Sequence, residues 1–583
     1  MNYFSRISAV AGALFALLLS FSSRAQAQTF DRAIVCASGG GYYGYNGWGP
    51  RAVAGDAQGN TYTTGTFNGT IQLGNTLLTA TQTSPGTTMP YDNFVAKLDA
   101  AGNYVWAVQM GDGQAARAMS LAVDAAGNVY VAGFFRSYSA RFGAAIILFN
   151  SSADSEAFVA KLDGATGQWL WARRAGGTGS DSIGEVAVNA AGEVYVIGSA
   201  ESSAADFGPF TLNSPVAFLA KLSPAGVWLW ARPVGSGAVA AVLSLCLDGQ
   251  GGLYVAGLFW APSATFGATT LTTHGIVGAP QARTGGEVFV AKTTDVGPWL
   301  WAVQGDALTH QNLVTGAGGL SLDGTGHLYL AGSYQSTAAR FGATVLPNRS
   351  VQQPPLMGQP TPPPYPNNYW PDAFAARLDA ATGAWDWASR NGGAYGDWGG
   401  QTVSDAQGRV YVLGYFNPSA VAGEDVSLAQ LDGATGAWRS IQPLAPLGVR
   451  DLALDGQGHL HLAGYFNGAT AQFGPVTLAQ AGSGRQTGFL ARMSAGPLAA
   501  RAPARPGVGL EVWPNPASSG GGGVWVRGPR PGQAVEVLDV LGRRVAQGRM
   551  SASGPLHLTW PAALPAGMYV VRGGGQARRL LLE

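Results

Sequence analysis

One pattern of alternating apolar and polar positions recurs along most of the chain, and each copy joins two short strands through a D-x-x-G turn. The copies have the form DAAGNVYVAG, and they begin at Asp56, Asp124, Asn189, Asp248, Asp323, Asp405 and Asp455. Alternation with a period of two on both sides of a tight turn predicts a β-hairpin. The sequence therefore predicts seven repeated units.

Two further apolar segments follow each hairpin. The third segment resembles FVAKLD and begins at Phe94, Phe158, Phe218, Phe289, Phe374, Leu428 and Phe489. The fourth resembles WLWA and ends at Ala107, Ala172, Ala231, Ala302 and Ala388, with a weaker copy at Trp438. Four antiparallel strands per unit, repeated in series, are typical of a β-propeller. We predict an all-β chain in which residues 28–493 form a seven-bladed β-propeller.

The seventh unit has no fourth segment of its own, because the chain runs from Met493 into a Pro/Ala-rich linker at 494–508. A segment that belongs to no unit, Phe30 to Ser38, precedes the first repeat. We predict that this N-terminal strand completes the seventh blade, since an open sheet edge would invite aggregation. Cys36 and Cys246 then lie in different blades and form no disulfide.

The two ends of the chain differ from the repeats. Residues 1–27 combine an early arginine, an apolar run and Ala25-Gln26-Ala27, which is typical of a cleaved signal peptide. No later run reaches the ~18 apolar residues that a membrane helix needs, so we expect no transmembrane segment in the mature chain. Residues 509–583 alternate short strands with turn residues, which predicts a small β-sandwich.

The formal net charge of +1 and the 11% content of charged residues exclude a strongly basic surface. Such a surface is the usual electrostatic footprint of a nucleic-acid-binding protein, so we expect no nucleic-acid partner. We expect a monomer.

The repeats resemble the SBBP-type bacterial β-propeller repeat from Phe30 to about Met493, which implies a scaffold but no particular activity. The last 75 or so residues resemble the type A C-terminal sorting domain of the type IX secretion system. The residues that match its motifs are Trp513, Pro514, Asn515, Pro516, Gly542, Arg543, Gly567 and Tyr569. This resemblance implies recognition by the type IX machinery and a location outside the cell or on its outer surface.

The sequence contains no G-x-S-x-G, no H-E-x-x-H and no paired Cys motif, so no reaction can be read from it. The turn Asp recurs too regularly to be catalytic, and one carboxylate per turn is too few for calcium, so we interpret it as an acceptor for backbone amides. Only His459 and His461 lie close together, and two residues alone do not make a metal site. The stretch Gly39 to Gly44 has dinucleotide-loop spacing, but the residues that follow, Asn46-Gly47-Trp48-Gly49-Pro50, lead into β-hairpins and not into a helix. We therefore expect no cofactor and no metal.

The tryptophans indicate where a ligand would bind. Ten of the 17 lie in the fourth segments, where we expect them to pack between blades, and three lie in the sorting domain. The other four, Trp48, Trp260, Trp370 and Trp398, fall in connections on one face of the propeller. The same connections carry Tyr42, Tyr43, Tyr45, Tyr365, Tyr369 and Tyr395. Aromatic loops on a rigid scaffold suit a glycan or protein ligand, although simple loop packing would also explain them.

Three functions remain open from the sequence. The first is a secreted or surface-exposed, non-catalytic binding or adhesion propeller. The second is a polysaccharide lyase or hydrolase that uses acids in the interblade loops, among Asp112, Asp181, Asp306 and Asp397. The third is a structural surface protein. Two acids within reach of one cleft beside the aromatics would favour the enzyme.

Overall fold

The computed structural model describes residues 30–39, 49–81, 91–111, 116–150, 154–213, 215–273, 286–307, 318–350, 370–393, 396–416, 426–444, 447–480, 486–494, 511–513, 523–527, 533–539, 543–550, 556–560, 564–573 and 576–582. All regular structure in these ranges is β, with no helix. Accordingly, a search of the described residues finds no helix that could cross a membrane. Contacts divide the chain into two compact parts, Met1–Ala499 and Ala500–Glu583, which are described separately.

Strand β1 (Phe30–Gly39) precedes seven repeat units, which are defined here by their strands. Unit 1 contains β2 (Gly49–Gly55), β3 (Thr61–Asn68), β4 (Thr70–Leu73), β5 (Thr76–Thr79), β6 (Tyr91–Leu98) and β7 (Tyr104–Gly111). Unit 2 contains β8 (Arg117–Val123), β9 (Val129–Phe135), β10 (Ser139–Phe142), β11 (Ile146–Phe149), β12 (Glu156–Leu162) and β13 (Trp169–Ala175). Unit 3 contains β14 (Asp181–Val188), β15 (Val194–Ala200), β16 (Ala204–Phe207), β17 (Phe210–Asn213), β18 (Val216–Leu222) and β19 (Trp228–Pro233).

The later units follow the same order. Unit 4 contains β20 (Ser236–Leu247), β21 (Gly252–Phe266), β22 (Thr269–Thr272), β23 (Glu287–Thr294) and β24 (Trp299–Ala307). Unit 5 contains β25 (Leu320–Leu322), β26 (His327–Tyr334), β27 (Ala338–Phe341), β28 (Thr344–Pro347), β29 (Asp372–Asp379) and β30 (Trp385–Asn391). Unit 6 contains β31 (Trp398–Ser404), β32 (Arg409–Tyr415), β33 (Val426–Asp432) and β34 (Trp438–Pro443). Unit 7 contains β35 (Leu447–Leu454), β36 (Leu460–Phe466), β37 (Thr470–Phe473), β38 (Val476–Ala479) and β39 (Gln486–Met493).

Each unit builds one antiparallel sheet in which the strands pair in the order of the four predicted segments, as in β8, β9, β12 and β13. The first strands of the units, called here the inner strands, also contact one another in a closed series: β2, β8, β14, β20, β25, β31, β35 and again β2. Sheets that stand around a closed ring of inner strands form a β-propeller. The predicted all-β propeller fold is therefore present.

The predicted pairing of the N-terminal strand with the last repeat is also present. Strand β1 runs antiparallel to β39, with Phe30 opposite Met493 and Ile34 opposite Leu490. The Phe30 ring packs edge-on against Phe473, with ring centroids 5.3 Å apart. In unit 2 the first tryptophan of the fourth segment, Trp169, makes the equivalent edge-on contact with Phe142. Strand β1 therefore replaces the missing fourth strand of unit 7.

Most units contain one more element than the sequence predicted, a short hairpin between the second and third strands. In unit 2 it consists of β10 and β11, which turn at Gly143 with a φ of 65°. Its Phe142 packs edge-on against Trp169 of its own unit, with ring centroids 5.1 Å apart, and pairs in register with Met110 of unit 1. The hairpin thus connects neighbouring units.

The second tryptophan of the fourth segment packs between units, as predicted, whereas the first, such as Trp169, packs within its own unit. The Trp171 indole of unit 2 donates a hydrogen bond to the Pro224 carbonyl of unit 3 at 3.0 Å. It lies against Gly226, which has a φ of 76°, and a Cβ at that glycine would lie 2.6 Å from the indole. Because both the backbone conformation and the available space require glycine here, this turn is shaped by its neighbour's tryptophan.

The C-terminal part contains two small sheets. One pairs β40 (Glu511–Trp513), β41 (Gly523–Arg527) and β44 (Leu556–Thr559), and the other pairs β42 (Ala534–Leu538), β43 (Arg544–Arg549), β45 (Gly567–Gly573) and β46 (Gln576–Leu582). Side chains of both sheets, including Val524, Leu558, Val537 and Val571, share one buried core. An apolar core between two sheets is what makes so small a unit compact.

The residues of the sorting motifs have structural contacts where they are described. Arg543 donates to Asp539 through its backbone amide at 2.9 Å and through Nε at 2.7 Å. The Tyr569 hydroxyl donates to the Pro565 carbonyl at 2.9 Å, and Gly567 has a φ of 150°. Trp513 ends β40. The others, Pro514, Asn515, Pro516 and Gly542, lie outside the described residues.

Candidate functional site

The carboxylates of the D-x-x-G turns are structural, as predicted. In unit 2, Asp124 Oδ1 accepts the backbone amides of Ala126 and Asn128 at 3.0 and 2.8 Å. Its Oδ2 accepts the Tyr130 hydroxyl at 3.0 Å. Each carboxylate thus orders its own turn and the strand that follows it.

The two neighbouring histidines belong to the turn of unit 7. His459 Nδ1 and His461 Nε2 lie 2.9 and 3.0 Å from the same oxygen, Asp455 Oδ2. Burial lowers the pKa of His461 and outweighs the opposing effect of Asp455. A search of the described residues finds no group of three or more His, Cys, Asp or Glu side chains placed to hold a metal ion.

A polar belt, which the sequence did not reveal, links the inner strands. In five units the side chain four positions before the D-x-x-G turn accepts a backbone amide from the inner strand of the next unit. The pairs are Ser120 with Val186, Glu185 with Leu245, Ser244 with Leu320, Gln401 with Leu452, and Asp451 with Val53, at 2.6 to 3.3 Å. Ala52 and Gly319 occupy the position in the other two units. Because the acceptors are four different residue types, no motif marks them.

Two acids of this belt have raised pKa values. Burial raises the pKa of Glu185 to about 8, although hydrogen bonds from Leu245 and Ser244 partly oppose the shift. Burial likewise raises the pKa of Asp451 to about 6. Their side chains point between units, where the backbone amides hold them.

Two of the predicted aromatic residues lie together. Trp370 and Trp398 come from units 5 and 6, and both lie against Gly396, where an added Cβ would be 3.2 Å from the Trp370 ring and 2.5 Å from the Trp398 ring. The Trp398 ring also packs edge-on against Tyr415, with ring centroids 6.3 Å apart. We call Trp370, Trp398 and Tyr415 the aromatic cluster. Sequence reasoning missed Tyr415, because it ends a regular strand.

The remaining aromatic predictions are less informative. Trp260 lies in unit 4 against Gly286, with 37% of its surface exposed, and is separate from the pair at Gly396. Outside the described residues lie Tyr42, Tyr43, Tyr45, Trp48, Tyr365, Tyr369 and Tyr395. Their placement on the same face stays a prediction.

Three of the four proposed catalytic acids lie in the described residues, and their contacts are structural. Asp181 and Asp397 are almost fully buried. Each accepts the amide of the residue four positions earlier, Gly177 at 2.8 Å and Gly393 at 2.9 Å. Asp306 accepts a hydrogen bond from Gln304. Asp112 lies outside the described residues.

Comparisons with known proteins concern the fold. No family model matches the chain. An uncharacterized WD repeat-containing protein, L264, of Acanthamoeba polyphaga mimivirus is 25% identical over 228 residues, covering 34% of this chain and 16% of that protein. The closed ring of inner strands shows that the chain is a β-propeller protein. Since the match covers 16% of the L264 protein, this chain spans far less than two thirds of that relative's length.

Solved structures that resemble it include WD40 repeats, a propeller domain and an alcohol dehydrogenase. The RRP9 WD40 repeats have a TM-score of 0.40 at 9% identity, covering 80% of this chain and 99% of theirs. The Cps50 (Swd1) propeller domain of Myceliophteria thermophila has a TM-score of 0.38 at 9% identity, covering 80% and 99%. Quinohemoprotein alcohol dehydrogenase of Comamonas testosteroni has a TM-score of 0.39 at 13% identity, covering 84% and 79%. Likenesses this weak assign no function.

Proposed function

We propose that this chain is a secreted or cell-surface, seven-bladed propeller that binds a glycan or protein ligand without catalysis. The observation that carries the proposal is the aromatic cluster, in which Trp370 and Trp398 from adjacent units meet beside variable connections. Flat aromatic faces bind the apolar faces of sugar rings and of peptide side chains. Asp181 and Asp397, the best-described acids of the interblade loops, are already bound to backbone amides and offer no free carboxylate.

The binding proposal is tested by screening the full-length mature chain against glycan and peptide arrays and measuring the affinity of each hit. We expect Trp370→Ala and Trp398→Ala to weaken binding about tenfold, because each removes an aromatic contact of about 0.5–1.5 kcal/mol together with the apolar area it buries. Trp260→Ala is the matched control, since that tryptophan lies elsewhere. Equal affinity in the parent and both cluster variants, with unchanged melting temperatures, would contradict the proposal.

One pair of carboxylates bears on the enzymatic alternative. Gln304 Nε2 donates to both Glu287 and Asp306, which places two carboxylates around one amide. The Glu287–Gln304 contact repeats elsewhere as Asp92 with Gln109, which indicates a structural role for this pair. If the pair were catalytic, Asp306→Asn would abolish cleavage of a polysaccharide that the parent degrades. Absence of cleavage by the parent across a polysaccharide panel would remove this alternative.

We also propose that residues 509–583 form a sandwich domain that addresses the chain to the type IX secretion machinery. The ordered motifs around Trp513, Arg543 and Tyr569 support this proposal. Deletion of 511–583 should keep the propeller on the inner side of the outer membrane. Fusion of 509–583 to an unrelated exported cargo should carry that cargo across the outer membrane. Undiminished secretion of the truncated chain, detected by immunoblotting of the medium, would refute the proposal.

A further inference from the structure

Three arginines come from consecutive units at one side of the ring of inner strands. Arg51 in β2 and Arg450 in β35 occupy equivalent positions, five residues before the turn Asp, and each lies where the strand register shifts. Arg117 begins β8. Strands β35, β2 and β8 follow one another in the ring. A bulged residue leaves the regular strand ladder and its side chain is redirected, so these positions can present side chains away from the sheet.

The three side chains are close enough to repel one another. Burial, followed by the charges of Arg450 and Arg117, lowers the pKa of Arg51 to about 10. Burial and the charge of Arg117 lower the pKa of Arg450, while Tyr465 opposes the shift. Like charges held together in a partly buried place destabilise the unliganded state.

Two of these arginines keep hydrogen-bonding capacity. Arg51 Nε and Arg450 Nη1 are buried and have no hydrogen-bond partner within the described part of the chain. The Arg450 guanidinium lies over the Tyr465 ring, 4.9 Å from its centroid, which holds the plane but leaves the N–H edges available.

Acids do not neutralise the cluster in the described residues. The acids of the inner strands β14 and β35 are Asp181, Glu185 and Asp451, and they accept backbone amides at 2.8, 2.8 and 2.6 Å. The segments that lead into Arg51 and Arg450, residues 39–50 and 443–449, contain no Asp or Glu. The segment before Arg117 contains one, Asp112.

We propose that Arg51, Arg117 and Arg450 form a binding site for an oxyanion, presented as the carboxylate or sulfate group of an acidic saccharide. Guanidinium groups bind such oxygens through paired, charge-assisted hydrogen bonds. The choice of a saccharide rests on the proposed function, because β31, which begins with Trp398 of the aromatic cluster, contacts β35. The arginine site supplies the charge and the aromatic cluster supplies a surface for a sugar ring.

The test measures binding to the full-length mature chain by calorimetry. The probes are inorganic sulfate, an oligogalacturonate, and a neutral oligogalactoside of equal length. Variants are Arg51→Gln, Arg450→Gln and Arg51→Lys, and the control is Arg439→Gln, which removes an exposed arginine paired with Asp432. Melting temperatures are measured in parallel, in sulfate and in chloride at equal ionic strength.

We expect the parent to bind the oligogalacturonate and not the neutral oligomer. Each Gln variant should bind at least about tenfold more weakly, because a hydrogen bond to a charged group contributes about 1.5–3 kcal/mol. Arg51→Lys should retain part of the affinity, and Arg439→Gln should match the parent. Sulfate alone should raise the melting temperature of the parent more than that of Arg51→Gln.

The possible results separate the oxyanion site, the saccharide ligand and the aromatic cluster. No stabilisation by sulfate and no binding of the oligogalacturonate would overturn the oxyanion site, as would equal binding by the parent and both folded Gln variants. Sulfate binding that depends on the arginines but is accompanied by no saccharide binding would uphold the oxyanion site and reject the saccharide. Loss of saccharide binding in Trp398→Ala with intact sulfate binding would support the aromatic cluster separately.

Discussion

At the scale of single residues, Glu185 shows how ring closure changes a side chain's chemistry. Its carboxyl lies between units 3 and 4 and accepts the Leu245 amide at 2.8 Å. Burial raises its pKa from 4.5 to about 8, so the folded chain binds this proton more tightly than the unfolded chain. The stabilisation is therefore complete below about pH 4.5 and is lost as the pH rises to about 8.

We predict that Glu185→Gln raises the free energy of unfolding at pH 8.5 by at least about 1 kcal/mol and has little effect at pH 4.5. The amide oxygen of glutamine can still accept from Leu245, as Gln401 accepts from Leu452 at 3.0 Å. Urea titrations at both pH values measure the difference. The converse variant, Gln401→Glu, should lose stability as the pH rises. An identical pH profile for the parent and Glu185→Gln would contradict the role given to this carboxyl.

Residue roles were predictable only where the residue type repeats. The turn carboxylate, as at Asp124, was predicted from its recurrence, and its two backbone hydrogen bonds follow from local geometry. The arginine at position 51 and the belt acceptors were not predicted, because their partners come from other units. Only the closed ring brings those residues together.

At the scale of elements, the ten-residue strand β1 contributes strongly to stability, because it completes the sheet of unit 7. Phe30 is 5% exposed and belongs to the core of unit 7. We predict that Phe30→Ala lowers the free energy of unfolding by about 3 kcal/mol, since it removes a buried ring and leaves a cavity. The matched control is Phe149→Ala in β11, where the ring is 67% exposed and the expected change is below about 0.5 kcal/mol. Equal losses in the two variants, measured by urea unfolding, would argue against β1 as an integral strand.

The strands themselves were largely predictable, whereas the inserted hairpins were not. Alternation over five or more residues, with a turn signal between, located the four strands of each unit. The hairpin strands have four residues, as in β10, and too few alternations to stand out. Their stability comes from contacts such as Phe142 with Trp169, which a local pattern does not contain.

At the scale of the whole molecule, the two cysteines report on the intact fold. They are free, in β1 and β20, which agrees with the predicted absence of a disulfide. Burial raises the pKa of Cys36 to about 12 and also raises the pKa of Cys246. Because the thiolate is the reactive form, neither should react quickly in the folded chain.

We predict that a thiol reagent at pH 8 modifies neither cysteine in the native chain and both after unfolding in urea. The rate of modification should therefore follow global unfolding. Cys36→Ala should leave one reactive thiol in the unfolded chain, which a colorimetric assay can count. Rapid modification of either thiol without denaturant would contradict this expectation.

Because both ends of the propeller pair in one sheet, the order of the units along the chain could be changed without changing the fold. Arg492 Nε lies 3.0 Å from Asp31 although the two residues are 461 positions apart. A short peptide that joined Met493 to Phe30 would make the backbone a continuous circle, and new ends could then be opened at an exposed connection. Such a circular permutant should fold to the same ring, because no unit would be first or last.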